Sequence, residues 1–214
     1  MTAELPLTCE ELLTTTRCVR RGLDLDRPVD PERVKDCLRI ALQAPNGNNR
    51  QNWRWILLTD PRVRAEVAEV YRAAFYDRNA AALERPAQLP EATRSVLTAA
   101  RLLADRLHRV PVLVIPCLEL ADGRLPTGNQ AGLWASLLPA AWSYALAARS
   151  RGLATAWTTV HLDREQEIAE LLGLPPTVRQ GALLPTAYPL RATFRPGPRL
   201  PLEQVLHHDG WQGT

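Results

Sequence analysis

Lysine is almost missing from this chain: Lys35 is the only one, and every other basic residue among the 26 is arginine. A compositional bias of the source genome can produce that ratio. Anion recognition can too, because a planar guanidinium fork matches phosphate in a way an ammonium does not. The net charge is only +3 and the basic residues are scattered, so the basic stripe of a dedicated nucleic-acid binder is absent. Cysteine is sparse as well. Cys9, Cys18, Cys37 and Cys117 form no CxxC pair and no zinc spacing, so no metal site is expected. A GxGxxG turn is missing, since Gly123, Gly128, Gly132 and Gly152 do not supply one, and there is no phosphate-loop GxxxxGK, HExxH or GxSxG. His108, His161, His207 and His208 stand at no ligand spacing to Asp, Glu or Cys. No apolar run approaches about 18 residues, and the first residues lack a basic stretch followed by an apolar one, so the expected location is cytoplasmic with reduced thiols. Hydrolase and metalloenzyme readings thereby lose support. A chain this quiet in its side chains suits chemistry carried by a cofactor, with no catalytic side chain expected.

What is present reads as one α+β domain over 1–214, with 46% hydrophobic and 23% charged residues and no internal repeat. Thr8 with Glu11 three residues on opens a short helix toward Thr16. Asp30-Pro31 opens a second, in which Val34, Cys37, Leu38 and Ala41 recur at helical spacing until the chain reaches Pro45. Residues 44–52, APNGNNRQN, must be a loop. Strands are predicted over 53–59, 110–120, 154–160 and 180–188, and helices over 61–79, 91–108, 131–150 and 164–172. Residues 80–93 read as mixed, within a variable excursion around 76–96, and the proline-rich 195–206 reads as an extended tail. The 131–150 helix is apolar nearly all round, which calls for burial on several sides, a second subunit being one of them.

Three separated features carry candidate chemistry: Arg17-Cys18-Val19-Arg20-Arg21, the Pro45–Trp53 loop with its four asparagines, and Arg199 within RPGPRLPLEQV. Arginine clusters neutralise a terminal phosphate through bidentate, charge-assisted bonds. An asparagine-rich loop presents amides at several angles, which suits a ring edge mixing donors and acceptors. Together they suit a phosphorylated flavin. Each one alone also reads as an ordinary solvated helix end, loop or surface arginine, and spacing does not show that they meet.

In order and spacing these features resemble the nitroreductase (flavin reductase) family over nearly the whole chain. That family has an N-terminal arginine segment with a serine, then a Pro-Val helix start and an Ala-Pro loop with Asn, Gln and Trp. An apolar helix ending Gly-Leu-Gly follows, then a strand with Trp, and a basic residue before a Pro-Leu-Glu segment. Here the matching residues are Arg17 to Arg20, Pro28-Val29, Ala44-Pro45 with Asn49, Gln51 and Trp53, Gly152-Leu153 with Trp157, the LGLP turn 172–175, Tyr188-Pro189, and Arg199 before PLEQV. The resemblance implies a mostly antiparallel central sheet flanked by helices, an intertwined homodimer, FMN as cofactor and NADPH or NADH as co-substrate. It implies that Arg17 and Arg20 meet the FMN phosphate, ribityl chain or pyrimidine O2, and that Arg199 meets the phosphate. Cys18 stands where serine or histidine often contributes. Pro45, Asn46, Asn49 and Gln51 belong to the loop that reaches the flavin held mainly by the other subunit. Ala156, Trp157, Thr158 and Thr159 lie along the isoalloxazine, with a backbone amide near N5. Asn46 replaces the usual Ser or Thr, Asn52 the usual Pro, and Trp142 stands near a position that is often Gln. Tyr71 and Tyr76 are possible flavin-edge residues, with core packing the more ordinary role of each. The implied activity is ping-pong reduction of nitroaromatics, quinones or other electron-poor small molecules. A flavin-dependent dehydrogenase or oxidase of a biosynthetic intermediate, a non-catalytic flavin sensor, and a cofactor-free interaction module are the alternatives.

Overall fold

The computed structural model describes residues 5–211; residues 1–4 and 212–214, the ends of the expected 1–214 domain, lie outside the described residues. Helix α1 (Cys9–Thr15) starts with the capping box read from the sequence, Thr8 accepting from the Glu11 amide while Glu11 reaches back to the Thr8 amide. Helix α2 (Pro31–Ala41) is capped by Asp30 with proline in the first turn, and buries Val34, Cys37 and Ala41. Strand β1 (Leu23–Asp24), two residues long and not foreseen, comes between them. Strand β2 (Trp53–Leu58) leads into α3 (Pro61–Glu84), α4 (Glu91–Arg106), β3 (Val112–Glu119), α5 (Ala131–Ser150), β4 (Ala154–Thr155), α6 (Glu165–Leu172), β5 (Val178–Gln180) and β6 (Leu184–Pro189). Among the described residues no helix is long and apolar enough to cross a membrane.

The expected α+β fold is what forms. The strand order is β1-β6-β3-β2, with β4 on β6 and β5 on β3, and every named pair is antiparallel. Strand β3 is the keel. Its side chains alternate faces. Val112 and Val114 join the cluster of α2 and α5, with Tyr144 and Ala148, whereas Leu113, Ile115 and Cys117 join that of α3, α4 and α6, with Val67, Phe75, Leu103 and Ile168. Helices therefore cover both faces, which is why this strand reads as continuously apolar. Full burial of a leucine such as Leu113 or Leu183 contributes about 1.5–3 kcal/mol each.

Two prolines correct the strand expectations. The predicted 180–188 strand is broken into β5 and β6. Cys117 pairs with Gln180 and Val114 with Leu184, so Ile115 and Pro116 face three residues, Gly181 to Leu183. That is a bulge, placed where Pro116 has no N–H to give. The predicted 154–160 strand is cut to Ala154–Thr155. Ala156 donates to the Pro185 carbonyl at 3.0 Å, but Pro185 returns nothing, so the ladder lapses there. Thr158 rejoins as a single bridge to Leu183, and a 3₁₀ turn (Val160–Arg164) follows. The 76–96 excursion is regular in large part: α3 runs on to Glu84, past its predicted end at 79, and α4 begins at Glu91. The C-terminal tail is extended as expected, apart from a 3₁₀ turn at Leu202–Gln204.

Candidate functional site

The segment after α1 lies along β4. The Val19 amide donates to the Thr155 carbonyl at 2.8 Å, and Cys18 and Thr155 form an isolated parallel bridge. Where β4 gives out, side chains take over from the ladder. The Trp157 amide donates to Cys18 Sγ at 3.0 Å, the Cys18 thiol and an Arg20 Nη2 both approach the Trp157 carbonyl at 3.5 Å, and Thr158 Oγ1 shares a 2.9 Å hydrogen bond with the Tyr71 hydroxyl. Tyr71 is fully buried, as its packing role requires, and burial raises the pKa of its phenol. Tyr76 departs from that expectation: it is 38% exposed and donates to Asp105 at 2.8 Å. Thr159 is exposed at the start of the 3₁₀ turn.

The tail returns to the same place from the far end of the chain. Arg17 Nη1 donates to the Arg195 carbonyl at 2.9 Å. A Cβ placed on Gly197 would stand 2.8 Å from Arg17 Nη2 and 2.8 Å from Arg199 Nη1, so the absence of a side chain there leaves two guanidinium groups facing one small space. Beside it opens a cavity of about 770 Å³, lined by Arg17, Cys18, Arg20, Arg21, Arg191 and Arg195 and closed on one side by α4; its lining contains no Asp or Glu. A pocket of about 60 Å³ adjoins it, where Arg106 of α4 joins Arg20 and Arg21. Phe194, also in the cavity wall, stacks on Arg149 at 4.7 Å. Arg149 is 3% exposed, burial lowers its pKa, and its Nε and Nη1 have no partner.

The structure thus brings Arg17, Cys18, Arg20, Trp157 and Thr158 together and adds Arg199 through Gly197. It does not bring the asparagine loop to them: Pro45, Asn46, Asn49 and Gln51 line no part of that cavity. The loop instead packs on the start of α5, the Gly47 amide donating to Ser136 Oγ at 2.9 Å. Asn46 Oδ1 accepts from the Gln51 amide at 2.8 Å and Gln51 donates to Asn49 at 2.9 Å. Asn48, Asn49 and Gln51 all hold positive φ, a conformation asparagine tolerates and glutamine seldom takes. The Asn46 Nδ2 is buried without a partner.

Residue-by-residue reading missed Arg106, Arg191 and Arg195. No motif marks them; the one available signal was that arginine, not lysine, fills nearly every basic position. The remaining titratable groups are poorly placed for chemistry. Burial pushes the thiols of Cys37 and Cys117 up to about 11 and about 12, and lowers His161 to about 4. Among the described residues no three His, Cys, Asp or Glu side chains gather as metal ligands would. What the arrangement does offer is a cavity whose wall holds several cations and no anion of its own.

Comparison with known proteins identifies the family. Residues 13–188 match the model of the Nitroreductase family. A nitrobenzene nitroreductase of Ectopseudomonas oleovorans is 42% identical over 65 residues, 29% of this chain and only 28% of that relative's length. Among solved structures, a variant of the FMN and NADPH-dependent nitroreductase NfnB from Sphigopyxis sp. strain HMH superposes with a TM-score of 0.71 at 20% identity, covering 96% of this chain and 100% of the other. An iodotyrosine deiodinase bound to FMN and 3-iodo-L-tyrosine superposes with a TM-score of 0.67 at 20% identity, over 95% and 99% of the two chains. At such identities the likeness speaks for the fold.

Proposed function

The chain belongs to the nitroreductase family, and from that premise we propose that it is an FMN-dependent oxidoreductase that takes hydride from NADPH or NADH and reduces electron-poor small molecules, nitroaromatics and quinones among them, by a ping-pong cycle. The observation that carries the reading is the meeting of Arg17 and Arg199 across Gly197 beside a cavity lined by unpaired arginines. A flavin phosphate suits that feature on physical grounds: two forked cations close on one glycine, beside a cavity wall with no carboxylate competing for them.

When bound, FMN would supply the two-electron centre between the nicotinamide and the acceptor. The protein's part is placement and charge. Arg17 and Arg199 would hold the phosphate. Arg20, beside the Trp157 carbonyl, would set positive charge near the pyrimidine edge, where negative charge develops on reduction. Cys18 holds the Trp157 peptide by both its amide and its carbonyl, which fixes the backbone of the segment that would run along the ring. Thr158, anchored by Tyr71, fixes the next residue. The asparagine loop, which lines no part of the arginine cavity of its own chain, would serve the flavin of a partner subunit. A homodimer also gives the exposed apolar tail residues Leu200, Leu202, Val205 and Trp211 something to cover.

The test begins with the visible spectrum of the purified protein. A yellow protein carrying FMN, bleached anaerobically by a nicotinamide and restored by a nitroaromatic or quinone, is the expected result. A colourless protein indifferent to added FMN sinks the proposal, and a flavin that reacts only with an oxidisable substrate and oxygen turns it toward the dehydrogenase reading. Arg20→Ala is expected to weaken FMN binding or lower the flavin potential; normal occupancy and activity in that variant remove Arg20 from its role.

A further inference from the structure

The cavity holds more positive charge than a bound flavin needs. On the flavin reading, on which this inference rests, Arg17 and Arg199 answer the phosphate and Arg20 the ring edge. That leaves Arg21, Arg191 and Arg195 in a wall without a carboxylate. Arg54, Arg72, Arg78, Arg109 and Arg164 each form an ion pair, whereas none of these three does among the described residues. Arg21 is held in place, since its Nη2 donates to the Ser95 carbonyl of α4 at 2.8 Å across the cavity. Arg191 and Arg195 come from the tail on the other side, flanking Phe194. Like charges lining one cavity repel, and the arrangement becomes favourable when an anion enters it.

We propose that Arg21, Arg191 and Arg195 form a second anion subsite in the cavity wall, and that the co-substrate it selects is the nicotinamide dinucleotide bearing an additional phosphate monoester, NADPH rather than NADH. The two dinucleotides share their pyrophosphate. They differ by one 2′-phosphate carrying about −1.5 to −2 charge at neutral pH, which is what a subsite of three unpaired guanidinium groups distinguishes best. Arginine suits this better than lysine, because its fork makes paired bonds to phosphate oxygens.

The test uses the FMN-loaded protein and two probes that neither donate nor accept hydride. Titration calorimetry with 2′,5′-ADP and with 5′-AMP should give tighter binding of the former by about tenfold or more, a difference that shrinks as salt rises. Arg191→Glu should abolish that difference and lower the NADPH-to-NADH ratio of kcat/KM by about tenfold or more, while Arg191→Lys keeps part of both. FMN content, read from visible absorbance in the same samples, separates loss of the cofactor from loss of the subsite. Equal binding of the two probes, or a NADPH-to-NADH ratio near one that Arg191→Glu leaves alone, overturns the proposal while the flavin reading stands. A protein that takes up no FMN fails at the earlier step instead, and the two failures are distinguishable.

Discussion

Two populations of arginine stand out in this molecule, and the contrast between them is instructive, although others, Arg50, Arg62 and Arg94 among them, belong to neither. The first meets carboxylates: Arg78 with Asp163, Arg164 with Asp77 and Glu167, Arg72 with Glu69, Arg39 with Asp36. Around the cavity Arg17, Arg20, Arg21 and Arg199 donate to backbone carbonyls, those of Arg195, Trp157, Ser95 and Pro198, and to no carboxylate. A carbonyl orients a guanidinium without neutralising it. The first population therefore spends its charge within the fold, and the second is left with charge that a bound anion would answer.

The largest effect should come from removing the two cations that face Gly197. The double variant Arg17→Ala with Arg199→Ala should weaken FMN binding about a thousandfold, since each charge-assisted contact contributes about 1.5–3 kcal/mol, while its melting temperature stays near that of the parent. Fluorescence titration of FMN measures the first and calorimetry the second. Parent-like affinity would merge the two populations and make these arginines ordinary solvated ones.

Next in size is an effect on the paired side, where His161 sits 0% exposed within the same 3₁₀ turn as Asp163. Burial, only partly opposed by Asp163, lowers its pKa from 6.5 to about 4. The unfolded chain therefore binds the proton more readily. The stability His161 contributes is present in full above pH 6.5 and is lost as pH falls toward 4, by about 3 kcal/mol over that window. Urea unfolding at stepped pH should show the slope, and His161→Leu should flatten it; an unchanged slope in that variant assigns the titration elsewhere. Gly197→Val should do less. Its side chain would enter the space between the two guanidinium groups and weaken FMN binding about tenfold through misplacement alone, without removing charge. If FMN binds Gly197→Val as tightly as the parent, the convergence of Arg17 and Arg199 is not what holds the phosphate.

Much of the fold was legible because local signals and burial agree. The Thr8 capping box, Asp30-Pro31, the period of α2 and the apolar run of β3 each state in sequence what the structure does with them. The strand limits were not legible, because they depend on partners. A run such as ATAWTT has strand character, but its ladder lapses where the neighbouring strand presents Pro185, a residue far off in sequence. Pro116 acts in the same way on the predicted 180–188 strand. The Arg17–Arg20 segment and its neighbours Trp157 and Thr158 could be named from family resemblance. The contributions of Arg191, Arg195 and Arg106 could not, since their only mark is what they lack: a carboxylate within reach in three dimensions.

The smallest predicted effect tests the other half of the partition. Arg78 makes a forked pair with Asp163, and both side chains are 42% exposed. Water screens such a pair, and ordering two long side chains offsets much of the Coulomb gain, so exposed pairs contribute about 0.2–1 kcal/mol. Arg78→Ala should therefore lower the melting temperature by only about 1–4 °C and leave FMN affinity where it was. The measurement is worth making because the pair ties α3 to the 3₁₀ turn that follows Thr158, and Thr158 is itself bonded to Tyr71 of α3. If that turn needs Arg78 to hold the Thr158 backbone in place, FMN affinity will fall in Arg78→Ala as well. The paired arginines would then belong to the site at one remove, and the division between charge used within the fold and charge kept for a ligand would no longer hold.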